Sequence, residues 1–181
     1  MVNQTSSLEL SHFPVMLDEV IKICSPKSGG NYCDCTFGGG SYSKEILKFS
    51  NTYVHALDRD KKVIIEAQTL EKKYPERFKF YQIKFSQLDQ VLSKNIDVVI
   101  FDLGLSSIQL DNLERGFSFR SKDKLDMCMG LNEISALEAI NNLSEQDLRS
   151  VIKILGEEQE AYKIAKNIVK HRNINKINNT S

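Results

Sequence analysis

The sequence predicts an α/β protein built on a parallel sheet of the doubly wound kind, followed by a helical segment. Three observations lead there. Short apolar, strand-like runs alternate with helix-like runs up to Asp102. A glycine-rich turn, FGGG at 37–40, joins the first such strand to a helix-like run. From Ile134 onward the pattern is helical only.

The elements follow in order. Pro14–Cys24 reads as a helix, with Val15, Val20, Ile21 and Cys24 near one face. Asn31–Cys35 reads as a strand, Ser41–Phe49 as a helix and Tyr53–Leu57 as a second strand ending at Asp58. Asp60 suits the N-cap of a helix through Lys73. Arg77–Ile83 alternates polar and apolar residues, as a strand does, and a short helix is expected over Ser86–Leu92. Ile96–Phe101 is nearly continuous apolar sequence, which predicts a strand covered on both faces. Right-handed crossovers would order these strands 3-2-1-4. Residues 104–129 have no clear period. Helices are expected at Ile134–Asn141, Glu145–Leu155 and Glu157–His171, with Ser144 and Asp147 at the start of the second.

A chain of 181 residues suits one domain, or one with a small extension. Its formal net charge is zero, so a nucleic-acid partner would need a local basic patch. No apolar run reaches the roughly 18 residues of a membrane span, and MVNQTSSLELSHFP lacks the features of a signal peptide. These point to a cytoplasmic protein without a membrane partner. Cys33 and Cys35 would share one strand face. Cys24, Cys128 and the histidines supply no second pair at ligand spacing, so the cysteines read as reduced, small apolar residues and no metal site is expected.

The glycine turn points to a ligand. Glycines between a strand and a helix let a ligand approach the backbone, and a helix start offers N–H groups and a positive dipole end. The P-loop pattern is excluded because no G-K-[ST] follows. The dinucleotide pattern G-x-G-x-x-G/A finds Gly38 and Gly40 but Ser43 at its third position. Asp34, four residues before Gly38, would repel a pyrophosphate and suit a ligand with a cationic end, such as S-adenosylmethionine. Asp58 stands where an acid binds ribose hydroxyls, Phe85 could border an adenine, and Asp102 ends the strand across the topological switch point from the glycine turn. An NAD-dependent oxidoreductase is the weaker enzyme reading, given Asp34 and Ser43.

HFPVMLDEV at 12–20, DCTFGGGSYS at 34–43, ALDRD at 56–60, FDLGLSSIQLD at 101–111, ERGFSFR at 114–120, LDMCM at 125–129 and GEE at 156–158 together resemble the MraW-type family, the ribosomal RNA small subunit methyltransferases H. The resemblance runs from His12 to the end of the chain. It implies a Rossmann-like class I methyltransferase core over 1–107 and part of a helical insert over 108–181, with the remaining strands absent, as in a truncated or split product. It implies S-adenosylmethionine as cofactor and N4 of a cytidine in the decoding region of small-subunit rRNA as target. Gly40, Ser41 and Tyr42 match the family's cofactor turn; Asp58, Phe85, Asp102 and Gln109 match its other cofactor positions. Asp102 would also accept a hydrogen bond from the target amine. Candidates for RNA contact are Arg115, Arg120, Lys122 and Lys124; Lys163, Lys166, Lys170 and Arg172 on the last helix form a second set, which reads more readily as a solvated helix face. The chain departs from the family at Ser41-Tyr42, where Gly-His is common, at Cys128, where Arg is usual, and at Lys124, where Pro is usual. A chain ending here would be either part of an enzyme, completed by a second copy or a complementing chain, or an inactive remnant or interaction module.

Overall fold

The computed structural model describes residues 16–92, 95–131 and 134–180. The chain divides into two compact units. One comprises the described residues up to Asp58 together with Val63–Leu103; the other comprises Arg59–Lys62 and the described residues from Gly104.

The first unit is a parallel four-stranded sheet with helices. Its strands are β1 (Asn31–Asp34), β2 (Tyr53–Leu57), β3 (Phe78–Tyr81) and β4 (Val98–Ile100), in the order β3-β2-β1-β4. This is the predicted order and the predicted Rossmann-like α/β class. Asp34 pairs with Ala56 on one side and Ile100 on the other, so β1 is the central strand at the point where the order reverses. Ligands of such sheets bind beyond the carboxyl ends of the strands at this place.

The helices of this unit are α1 (Leu17–Cys24), α2 (Ser41–Leu47) and α3 (Ile64–Lys73). The predicted start of α1 at Pro14, its face residue Val15 and the first residues of HFPVMLDEV lie outside the described residues. The helix predicted from Asp60 begins instead as a tight 3₁₀ turn over Lys61–Val63, because the Asp60 carboxylate accepts the Lys62 N–H at 3.0 Å and tightens the entry. The predicted helix at Ser86–Leu92 is likewise a 3₁₀ turn, Phe85–Gln90. One face of the sheet buries Tyr32, Val54, Ala56, Phe78 and Ile100 against Ile46, Leu47, Ala67 and Leu70. The other buries Cys33, Cys35 and Leu57 under Ile83, Leu88 and Ile96.

One expectation fails at β4. Ile100 is buried, but Val99 is 42% and Phe101 45% exposed, so the strand is covered on one face and not on both. Among the described residues β4 pairs only with β1, and its outer face is only partly covered. Apolar sequence states a capacity for burial; the covering element is a separate requirement.

The second unit is helical: α4 (Ser107–Asp111), a 3₁₀ turn at Leu113–Arg115, α5 (Ala136–Asn142), α6 (Glu145–Ile154) and α7 (Ala161–Arg172). The first two fall in the stretch that has no sequence period. Barely a turn long, they carry too few residues to show one, although Ser106 and Gln109 do form a capping box. The helix α5 starts on the Ser135–Glu138 capping box, and Ser144 caps α6 by accepting the Asp147 N–H at 3.1 Å. The helix α7 begins at Ala161 and not at Glu157, whose φ of 53° is left-handed and interrupts a helix. Among the described residues no helix is long and apolar enough to cross a membrane.

Candidate functional site

At the carboxyl end of the first unit's sheet, β1 runs through Cys35 and Phe37 into the glycine turn. Gly38 and Gly40 have φ of 50° and 75°, a region that favours glycine. A Cβ on Gly40 would sit 2.7 Å from the Phe37 ring, whereas one on Gly39 would meet nothing within 4 Å. The backbone at Gly39 therefore faces open space, as a turn that receives a ligand must. Gly40 is the N-cap residue of α2, which starts at Ser41.

Two carboxylates flank this turn. Asp58, at the end of β2, accepts the Gly38 N–H at 2.8 Å and so ties the turn to the neighbouring strand. Asp102, just past β4, is exposed and accepts the Tyr42 hydroxyl at 3.2 Å. Burial, together with the charge of Asp102, pushes the Tyr42 phenol up to about 12, so it stays a neutral donor at physiological pH. Phe85 lies at the start of the turn that follows β3, 42% exposed, with its ring edge-on to Phe101 at 5.6 Å. The first unit thus assembles Gly38, Gly40, Ser41, Tyr42, Asp58, Phe85 and Asp102 at strand ends and turns that follow them.

Asp34 behaves differently from the expectation that it meets a cationic ligand end. It is fully buried, accepting Ser43 Oγ at 2.7 Å and the Thr36 N–H at 3.3 Å. Burial pushes its carboxyl up to about 6 against the lowering effect of those two bonds. Ser43, which breaks the dinucleotide pattern, is therefore the partner of Asp34. Cys33 and Cys35 are free thiols with their sulfurs 3.5 Å apart, as their shared face requires; the bond between them and their burial hold Cys33 protonated.

The candidates beyond Leu103 belong to the second unit. Gln109 is buried, donating from Nε2 to Asp60 at 3.0 Å and accepting the Ser106 N–H at 3.0 Å. Arg115 is buried as well: Nη1 donates to Asp60 at 2.7 Å and Nη2 to the Cys128 carbonyl at 2.7 Å. It is thus withdrawn from the RNA-contact set because its guanidinium is committed inside the protein. Arg172 is withdrawn for the same reason, its guanidinium bonding the carbonyls of Ile140 and Leu143, each at 2.6 Å. Arg120, Lys122 and Lys124 are exposed, as are Lys163, Lys166 and Lys170; Lys163 pairs with Glu160. Among the described residues no cluster of three or more His, Cys, Asp or Glu is placed to hold a metal ion. Sequence reasoning missed Asp60 as the hub of the second unit, since its partners stand 49 and 55 residues away.

With this geometry in view, the comparison with known proteins is decisive for the family. A family model described as the MraW methylase family matches residues 9–181. The chain belongs to the MraW methylase family. It is similar to the ribosomal RNA small subunit methyltransferase H of Rickettsia massiliae (strain Mtu5), 45% identical over 171 residues, which are 94% of this chain and 56% of that protein. The protein of the same name from Rickettsia bellii (strain OSU 85-389) is 44% identical over 174 residues, 96% of this chain and 57% of the relative. The chain therefore spans little more than half the length of the relatives it matches. Among solved structures, the MccD protein covers 86% of this chain with a TM-score of 0.36 and 13% identity, a likeness too slight to carry an argument.

Proposed function

We propose that the first unit binds S-adenosylmethionine as part of a methyltransferase acting on small-subunit rRNA, at N4 of a cytidine in the decoding region. The observation that carries this reading is the open glycine turn flanked by Asp58 and Asp102 at the switch point of the sheet. These residues fit the cofactor. The backbone at Gly39 gives room for close approach, Asp58 would take the ribose hydroxyls, Phe85 would border the adenine, and the exposed Asp102 would face the cationic end. Asp34 supports the turn from beneath through Ser43.

Bound at this turn, S-adenosylmethionine supplies a methyl group activated on a sulfonium. The residues of the chain do the rest. A cytidine N4 is a weak nucleophile because its lone pair is delocalised into the ring, so the amine must be held in line at near-attack distance, with the base drawn out of its surroundings. Asp102 would accept an N–H of that amine, and Tyr42 would hold the Asp102 carboxylate in one orientation. Arg120, Lys122 and Lys124 would meet RNA phosphates. The reading of the first unit does not depend on Gln109 or on these basic residues.

The test is calorimetry with S-adenosylmethionine. Binding with a Kd on the order of micromolar, lost in Asp58→Ala, is expected; an absence of heat with a folded chain would overturn the reading. A second reading is favoured by the open face of β4, with Val99 and Phe101 exposed. On that reading the chain is an inactive remnant or interaction module, or needs a second copy or complementing chain over β4. Sedimentation of the chain alone, which separates monomer from dimer, distinguishes the second copy from the others.

A further inference from the structure

We infer that Thr36 is a positioning residue for Asp102, a statement that rests on the methyl-donor reading of the site. Backbone pairing between β1 and β4 ends with the Cys35 N–H donating to the Ile100 carbonyl at 2.9 Å. Beyond that bond the two strands part, β1 into the glycine turn and β4 toward Leu103. The next amide of the β4 chain to find β1 is that of Asp102, and it donates at 2.8 Å to Thr36 Oγ1. A side-chain hydroxyl thus extends the ladder past the last backbone bond.

Thr36 is itself fixed. Its N–H donates to Asp34 Oδ1 at 3.3 Å, and Asp34 Oδ2 accepts Ser43 Oγ at 2.7 Å. Ser43 follows Tyr42, whose hydroxyl donates to Asp102 Oδ2 at 3.2 Å. The bonds form a closed circuit: Asp34 to Thr36, Thr36 to the Asp102 backbone, the Asp102 carboxylate to Tyr42, and the first turn of α2 back to Asp34. An exposed carboxylate just past a three-residue edge strand has little else to hold it. Thr36 fixes its main chain and Tyr42 its side chain.

The variants are Thr36→Val, which keeps the shape and removes the acceptor, and Thr36→Ser, which restores it. Two readouts are taken on the intact chain: the exchange rate of the Asp102 amide by NMR, and the affinity for S-adenosylmethionine by calorimetry. The expected result for Thr36→Val is Asp102 exchange about tenfold faster and affinity about tenfold weaker, with Thr36→Ser near wild type on both. A Thr36→Val chain that binds as tightly as wild type overturns the inference. If the wild-type chain binds nothing, it is the methyl-donor reading that fails. The inference is then decided by the amide: faster exchange in Thr36→Val alone upholds it, and unchanged exchange overturns it.

Discussion

Asp34 and Asp60 are both buried acids near strand ends, one in each unit, and they are held in opposite ways. Asp60 has a cation: Arg115 donates to its Oδ2 at 2.7 Å, Gln109 adds a second bond and the Lys62 amide a third. Burial pushes the Asp60 carboxyl up, but these donors outweigh it and hold the group below the ordinary carboxylate value. Asp34 has a hydroxyl from Ser43 and the amides of Thr36 and Ser43, and burial wins, raising it to about 6. A buried acid is thus a brace when it has a counter-ion and a standing cost when it has none. The second unit is locked by its acid, while the glycine turn of the first is supported by an acid under tension.

The largest effect is expected from breaking the Asp60 pair. Arg115→Ala takes the guanidinium away from a buried carboxylate and should cost about 3–5 kcal/mol, read by urea denaturation with hydrogen exchange followed in residues 104–130. Adding Asp60→Asn to that variant should recover part of the loss, because the stranded charge is then gone. A loss below 1 kcal/mol in Arg115→Ala would mean that the pair is not the lock of this unit.

Asp34 predicts the opposite sign and a pH dependence. Its folded value of about 6 lies above the ordinary 3.8, so the folded chain holds this proton more tightly than the unfolded chain. The stability it contributes is present below about pH 4 and is lost as pH rises to about 6, a difference of about 3 kcal/mol. Asp34→Asn, which keeps the shape and cannot ionise, should therefore match wild type near pH 4. It should exceed wild type by up to that amount at pH 8. Denaturation curves at the two pH values decide it; equal offsets at both would show that the carboxyl does not titrate in this window.

Much of this was legible in sequence, for local reasons. Strand order followed from alternating strand and helix patterns and a fixed crossover hand, which need only neighbouring residues. The glycine turn and the acids at 58 and 102 were legible because a strand end followed by a special residue is a local event. What escaped depends on partners far along the chain. Arg115 looked like a surface cation in a glycine- and serine-rich loop, yet its counter-ion is 55 residues earlier. The residue type of Asp34 was plain, but whether it faces a ligand or Ser43 is set by the fold of α2 over β1. The open face of β4 could not be read from IDVVIF, because apolar residues do not state what covers them.

Ser43→Ala probes the same contrast more gently. It removes one donor from a buried carboxylate, which should cost about 2 kcal/mol at pH 8, where Asp34 is ionised, and about half that at pH 4, where it is protonated. A loss of equal size at both pH values would separate Ser43 from the charge of Asp34.

Gln109→Met should have the smallest effect. Asp60 would lose one of its donors but keep Arg115 and the Lys62 amide, so the buried charge stays compensated. The Ser106 amide would lose its acceptor in the capping box. Together these should cost about 1 kcal/mol, a shift of a few degrees in Tm, with the urea slope unchanged. The same variant tests whether Gln109 also serves the cofactor. If Gln109 serves only Asp60 and the helix start, stability falls and S-adenosylmethionine affinity does not. If affinity falls several-fold while stability holds, Gln109 acts on cofactor binding and does more than serve Asp60.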